Sequence, residues 1–381
     1  SKDSKKTGPS EDIPADPGGN APEPTKNNLK PVFSVEKSAN NPSRIRLNLS
    51  GLIDSTTNQP IQFRANESVF VTEDGKLKGI RVSQAQSTNS LPYDIVFLVD
   101  NSGSMGEEAD TVAEKILDFS AMLSQSGLDV RMGVVGFDGV INGGLDLTTA
   151  QDLKNFLTRP YSYYVGKPED AGPEQRRYGT ERTVDFAGPN QAALQKAANE
   201  LNATATYDEN GVLALVYAEH ALSFRPTAQR IYIQFTDEPT QETLPSIIAN
   251  RTPWNGVKDF HIKSYCASWK PKQGVVHTIW SGASTTVKAK DGRERLEPWF
   301  PWSSEEENPF DLSACTGGTQ MLVKGSAEDL DLTQLTVTQA LTSSALVEFI
   351  TSNPNVAHKL EVTVKNGETA DGRLTLEGKV Y

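Results

Sequence analysis

The chain has 381 residues, with 37 Lys plus Arg against 49 Asp plus Glu and a formal net charge of −12. That length exceeds what one typical core needs and points to two domains, while the acidic balance disfavours nucleic acid or an anionic membrane as partner. No apolar run approaches the roughly 20 residues of a membrane span, and two cysteines, Cys266 and Cys315, allow one disulfide but no disulfide scaffold.

Residues 1–30 are rich in Ser, Lys, Asp, Gly and Pro, with almost nothing apolar. Such a segment cannot offset its ordering entropy, so a disordered N-terminal tether or a frayed terminus is expected. Residues 31–90 read as β. Pro31–Val35 is a strand, Arg44–Leu49 alternates as a half-buried strand should, and Ser68–Val71 and Leu77–Val82 flank Glu73-Asp74-Gly75-Lys76, a hairpin signal.

From residue 91 the pattern changes to strands alternating with helices, which predicts a doubly wound, mostly parallel sheet. Ile95–Val99 is an apolar run suited to a strand buried on both faces. The chain then turns polar through Asp100, Ser102 and Ser104, with Gly103 and Gly106 loosening the backbone. Ala109, Val112, Ala113, Ile116, Phe119 and Leu123 follow at helical spacing. A carboxylate and two hydroxyls at the carboxyl end of a central strand stand where open α/β sheets bind ligands, and they make the hard oxygen set that Mg²⁺ accepts. Val130–Phe137 is a second buried strand, Gly144–Thr148 a short edge strand, and Gln151–Leu157 and Gln191–Leu201 are helices. Between those helices, Arg159–Pro189 reads as a long surface loop whose Tyr161, Tyr163 and Tyr164 either touch a partner or pin the loop. Arg230–Asp237 is another strand ending in an acid, Phe260–Cys266 the next strand, and Asp329–Thr342 the final helix. The segment between Cys266 and Phe310 carries Trp269, Trp280, Trp299, Phe300 and Trp302, with a hairpin signal at Lys290-Asp291-Gly292-Arg293.

Asp100-x-Ser102-x-Ser104, after such a strand and before an amphipathic helix, resembles the metal-ion-dependent adhesion site of von Willebrand factor A domains. Thr236-Asp237 resembles the third metal loop of that family. Many members place a threonine ligand before the helix that here begins after Asp208-Glu209-Asn210-Gly211. This stretch looks more like integrin β chains, where a glutamate supplies the ligand. The resemblance therefore implies a divalent cation, Mg²⁺ with Ca²⁺ or Mn²⁺ as substitutes, held by Asp100, Ser102, Ser104, Glu209 and Asp237, with Thr206 and Asp208 as runners-up. Glu107 and Glu108 stand where integrin β chains hold a second, regulatory cation; here both are longer by a methylene than the family's acids. The other reading is that they favour the start of the helix.

The tail is β again, at Ala345–Ile350, His358–Val364 and Arg373–Val380, so residues 31–90 and 344–381 together predict an all-β sandwich into which a von Willebrand A domain at 91–343 is inserted. Cys266 and Cys315 flank the long insertion. A bridge between them would close a loop of about 50 residues and place the protein outside the cytoplasm; two buried thiols are the alternative. The four histidines fall in no catalytic pattern, and no nucleophile elbow, His-Glu-x-x-His or phosphate loop is present, so no enzyme is expected. The expected function is a surface adhesion or protein-binding module whose metal is completed by a partner's Asp or Glu. The low-complexity lead is similar to that of bacterial surface lipoproteins, which would add a membrane link only through an N-terminal lipid anchor. The alternative is a scaffold subunit of an envelope complex with a vestigial or stabilising site.

Overall fold

The structure is a computed structural model that describes residues 12–54, 56–57, 59–84, 92–105, 108–125, 128–159, 183–204, 208–332 and 343–381. The chain divides into two compact units, Ser1–Leu91 with Gln334–Tyr381, and Pro92–Thr333.

In the first unit the leading strands are β1 (Phe33–Lys37), β2 (Arg44–Leu49), β3 (Ile53–Asp54), β4 (Gln59–Pro60), β5 (Val69–Glu73), β6 (Lys76–Leu77) and β7 (Arg81–Gln84). The second unit contributes β8 (Pro92–Asp100), α1 (Ala109–Gln125), β9 (Asp129–Phe137), β10 (Ile141–Thr148), α2 (Ala150–Thr158), β11 (Phe186–Ala187), α3 (Gln191–Asn202), α4 (Gly211–Ala221), β12 (Gln229–Thr236), β13 (Thr240–Gln241), α5 (Pro245–Ala249), α6 (Ile262–Ser268), β14 (Val275–Trp280), β15 (Ser284–Lys288), β16 (Glu294–Pro298), β17 (Glu306–Glu307), α7 (Pro309–Thr316) and β18 (Gln320–Leu322). The chain returns to the first unit with β19 (Ala345–Ile350), β20 (His358–Asn366) and β21 (Ala370–Lys379).

The second unit is built on a seven-stranded mixed sheet in the order β11-β10-β9-β8-β12-β14-β18. The five strands from β9 to β18 are parallel, and β10 turns antiparallel against β9. β8 is central because Ile95–Val99 is wholly apolar and covered on both faces. Val96 and Leu98 join Leu213, Leu215 and Val216 of α4 in one core. Phe97 points the other way and meets Phe119 of α1 edge-on, with ring centroids 6.2 Å apart. The chain leaves β8 towards β9 on one side, while β12 and β14 extend the sheet on the other, so the carboxyl end of β8 is a topological switch point.

The first unit has two four-stranded antiparallel sheets, β1-β2-β19-β7 and β21-β20-β5-β6, which share one core. Leu47 and Leu49 of β2, Val347 and Phe349 of β19, Val69 and Val71 of β5, and Leu360 and Val362 of β20 all belong to it. Strands from both ends of the chain are interleaved: β19 lies between β2 and β7, and β20 pairs with β5.

Several expectations are corrected. Phe260–Cys266 is not a strand: α6 starts at Ile262, and the next strand of the sheet is β14. The reason is long-range capping, since the Glu307 carboxylate accepts the amides of Ile262 (2.6 Å) and Lys263 (2.9 Å) and thereby satisfies the helix start. The 141–148 strand is longer than expected and interior, with β11 outside it. The expected strand Leu77–Val82 is split between two sheets, because Gly79 is pressed so closely against Pro14 and Ala15 that a Cβ would lie 2.0 Å from the Pro14 carbonyl oxygen.

That close approach also overturns the tether for residues 12–30, which instead run along the first unit. Arg44 donates to both Asp12 and Glu348, and Arg81 pairs with Asp12 as well. Asp16 takes Lys78 Nζ (3.1 Å) and the Gly79 amide (3.0 Å), and Asp371 accepts the amides of Thr25, Lys26 and Asn27 at 2.7–2.8 Å. Charge and hydrogen bonding fix a segment that has too few apolar residues to fix itself. Residues 1–11, Tyr161, Tyr163, Tyr164 and most of the expected final helix lie outside the described residues. Among the described residues no helix is long and apolar enough to cross a membrane.

Candidate metal site

β8 ends on Asp100, whose side chain is wholly buried. The Asn101 amide still bonds to the Phe137 carbonyl of β9 (2.9 Å), after which the chain tightens into a 3-10 turn over Gly103–Met105, with Met105 buried beneath it. The turn presents its polar atoms together. The Ser102 amide donates to Asp100 Oδ1 (3.0 Å), and the Thr236 hydroxyl, at the end of β12, donates to Asp100 Oδ2 (2.9 Å). Ser102 Oγ and Ser104 Oγ are 3.0 Å apart, and Ser104 Oγ donates to Asp237 Oδ1 at 3.0 Å. Asp100, Ser102, Ser104 and Asp237 thus form one linked set of oxygens over the ends of two adjacent parallel strands.

Glu209 approaches from a third loop. Its successor Asn210 is fully buried and caps α4 by accepting the Leu213 amide (3.0 Å). The Asn210 amide group donates to the carbonyls of Gln241 (2.8 Å) and Phe260 (3.1 Å), and the Gln241 amide donates to the Glu209 carbonyl (3.0 Å). One buried asparagine therefore ties the Glu209 loop to the chain just beyond Asp237.

The electrostatics show these acids crowding one another. Burial pushes Asp100 up to about 7, and the charge of Asp237 adds to the rise while hydrogen bonds from Ser102 and Thr236 oppose it. Asp237 is raised by burial against its bond from Ser104. Glu209 is raised by burial and then by Asp208, Asp138 and Asp237. Glu238 is pushed to about 7 by burial, then by Asp237, Glu209, Glu306 and Asp208. Among the described residues no Lys or Arg figures in any of these shifts.

The other expected residues fall differently. Thr206 and Glu107 lie outside the described residues. Glu108 is buried, and Ser281 Oγ, just past β14, donates to its carboxylate (2.5 Å). It faces the protein interior rather than an open second cation position. Cys266 and Cys315 form the expected disulfide and join α6 to α7. Sequence reasoning missed Glu238, Thr236 and Asn210. The run Thr236-Asp237-Glu238 carried the signal for the first two; nothing local marked Asn210 as more than a cap.

Among the described residues, three side chains of the His, Cys, Asp or Glu type bring ligand atoms within 4.8 Å of one another at a single place, Glu73, Asp74 and His358 in the first unit. Asp100, Glu209 and Asp237 do not converge as closely, and the two serine hydroxyls bridge Asp100 to Asp237. In the Glu73 group the ligand atoms are already engaged. His358 Nδ1 lies 2.5 Å from Asp74 and Nε2 lies 2.5 Å from the Asn353 carbonyl. Glu73 accepts from Thr351 (2.6 Å), Ser352 (2.9 Å) and Tyr381 (2.9 Å).

No protein-family model matches this chain, and no curated protein matches it.

Proposed function

We propose that the second unit is a divalent-cation-dependent protein-binding module of the von Willebrand A type, inserted in a β-sandwich and acting outside the cytoplasm. The observation that carries this reading is the linked set Asp100–Ser102–Ser104–Asp237 at the switch point of the parallel sheet, with Glu209 brought up beside it. The donor set fits the group. Carboxylates and hydroxyls are the hard oxygens that Mg²⁺ and Ca²⁺ take, and these acids raise one another's affinity for protons. Asp100, Ser102, Ser104, Glu209 and Asp237 would hold the cation, with Glu238 as a further acid at hand. A cation held by few protein carboxylates leaves room for an oxygen of a partner's Asp or Glu, which is binding chemistry. The Cys266–Cys315 bridge supports an oxidising compartment, such as a bacterial cell surface.

Calorimetric titration of the EDTA-stripped protein with Mg²⁺, Ca²⁺ and Mn²⁺ tests this. One site is expected in the wild type and none in Asp100→Ala of unchanged far-UV spectrum. Absence of saturable binding in the wild type would sink the reading, and the second unit would then be a scaffold.

A further inference from the structure

Lys78 stands between β6 and β7 of the first unit with its side chain turned inward, and the residue is only 5 % exposed. A lysine ammonium carries a full charge and three N–H donors. Burying it is costly unless the charge is paired and the donors are met. Among the described residues Lys78 Nζ gives one hydrogen bond, to Asp16 Oδ2 at 3.1 Å. The next acid, Glu73, is buried and lies 4.0 Å away, beyond hydrogen-bond reach. Arg44, also buried in this unit, is served differently. Its guanidinium donates to Glu348 Oε2 (2.7 Å) and to both oxygens of Asp12 (2.8 and 3.2 Å). Lys78 is thus buried without the acceptors that a stable ammonium needs.

The surroundings hold the amine and the carboxyl together. The Gly79 amide donates to Asp16 Oδ1 (3.0 Å), which leaves Oδ2 facing Lys78. The backbone before Asp16 is pressed onto Gly79, where a Cβ would lie 2.0 Å from the Pro14 carbonyl oxygen and 2.5 Å from that of Ala15. Groups fixed in contact in this way react as though at very high concentration. Lys76 Nζ also comes within 3.4 Å of Asp16 Oδ2, but its side chain is exposed and water solvates its charge. The buried lysine is the one that gains from losing its charge.

We propose that Lys78 Nζ and Asp16 Cγ condense into an intramolecular amide, a covalent cross-link between the N-terminal segment and the sandwich. Glu73 is ionised in the fold and takes one proton from the ammonium. The freed amine attacks Asp16 Cγ. The N–C bond forms, one C–O bond breaks, and the departing oxygen leaves as water with the proton from Glu73 and a second from the nitrogen. Glu73 is then a carboxylate again, and the positive and negative charges of the pair have vanished together. The product keeps one N–H where the ammonium had three, and no oxidant or cofactor is consumed. Tension on the residues ahead of Asp16 would then pass into the sandwich through a covalent bond instead of through ion pairs. None of this rests on the metal-site reading.

Intact-mass spectrometry of the purified full chain under denaturing conditions tests the cross-link. The wild type should weigh one water less than its sequence, and a tryptic digest should hold Asp16 and Lys78 in one branched peptide. Lys78→Arg keeps the charge without the primary amine and should show the full sequence mass, as should Asp16→Ala. Glu73→Gln of unchanged far-UV spectrum should stay largely unlinked. A wild type at full sequence mass would overturn the inference. So would a loss of water that persists in Lys78→Arg, which would place it at a cyclised aspartate elsewhere.

Discussion

Asp100 and Glu73 are both buried acids at the end of a strand, yet burial prevails at one and is overcome at the other. Glu73 receives an amide and two hydroxyls, from Ser352, Thr351 and Tyr381, and these hold its carboxyl below the usual value although desolvation opposes them. Asp100 receives the Ser102 amide and the Thr236 hydroxyl, faces a second acid in Asp237, and rises to about 7. The difference teaches that the donors aimed at a buried carboxylate, weighed against its desolvation and the acids beside it, decide which way its proton affinity moves. The first unit supplies its own. A carbonyl and a carboxylate only accept hydrogen bonds, so His358, set between Asn353 O and Asp74, carries hydrogen on both nitrogens and is an imidazolium. The ring of Tyr381 stacks on it at 5.2 Å. Among the described residues Asp100 has no such partner, and the proposed metal would supply what it lacks.

The largest expected effect is on Asp100. The folded carboxyl keeps its proton up to about 7, against an ordinary value of 3.8. The folded state therefore binds more protons than the unfolded one across that window, and stability of the metal-free protein falls as pH rises through it, by about 4 kcal/mol in all. Denaturant melts in EDTA at pH 4.5 and pH 8 should show this fall. Asp100→Asn should remove the Asp100 share and leave the part due to Glu238, which is likewise raised to about 7, and added Mg²⁺ should restore stability at pH 8. A flat profile in EDTA would erase the contrast with Glu73.

Glu73→Ala should cost about 3 kcal/mol, because it leaves the Thr351 and Tyr381 hydroxyls and the Ser352 amide without their acceptor. Thermal melts of wild type with and without Zn²⁺ sharpen the point. A metal-induced rise that disappears in Glu73→Ala would show that a metal, and not the proton on His358, belongs in that cluster.

His358→Gln should cost about 2 kcal/mol in mildly acidic buffer. Burial works against the charge on His358, but the Asn353 carbonyl and Asp74 outweigh it and raise the folded value. Its contribution is therefore complete below the ordinary value of 6.5 and is lost as pH rises through the folded one. The wild-type and variant melting curves should converge in alkali. Curves that stay parallel would mean that the histidine is not charged in the fold.

The smallest effect is at Asn210. Asn210→Ala should cost about 1 kcal/mol as a lost helix cap. It should also weaken Mg²⁺ binding several-fold in calorimetry, since it removes the side-chain bonds to the Gln241 and Phe260 carbonyls and leaves the Glu209 loop held to Gln241 by one backbone bond. Unchanged metal affinity would remove Glu209 from the ligand set.

Wherever structure follows from local periodicity, the sequence was legible. The apolar runs of β8, β9 and β12 announce strands covered on both faces, and the spacing of Ala109 to Leu123 announces α1. Asp74-Gly75 and Asp291-Gly292 announce tight hairpins, and Asp74, Gly75 and Gly292 do take positive φ. The oxygen-rich turn after Asp100 was visible because a strand that stops being apolar must turn, and the turn's side chains were already in the string. What α6 becomes was not visible. Phe260–Cys266 reads as a strand until Glu307, some 45 positions on from Ile262, arrives to cap the first amides of the helix. Residues 12–30 read as unstructured because their partners, Arg44, Lys78, Asp371 and Arg373, are remote in sequence.

The chain by itself determined the central strands β8, β9 and β12, helix α1, the Asp-Gly turns, the chemistry of the Asp100 loop and the presence of one pair of cysteines. All of these depend on neighbours within a few positions, or on residue type alone. Only the tertiary structure decided that Glu238 joins the acids of Asp237 and Glu209, that Glu108 turns inward to Ser281, that Asn210 fastens the Glu209 loop, and that Glu73 is sated while Asp100 is not. The reason is that a polar group's energy depends on which donors and charges reach it through space. Hydrophobic periodicity encodes which face is buried, and it is silent about which distant atom will stand there.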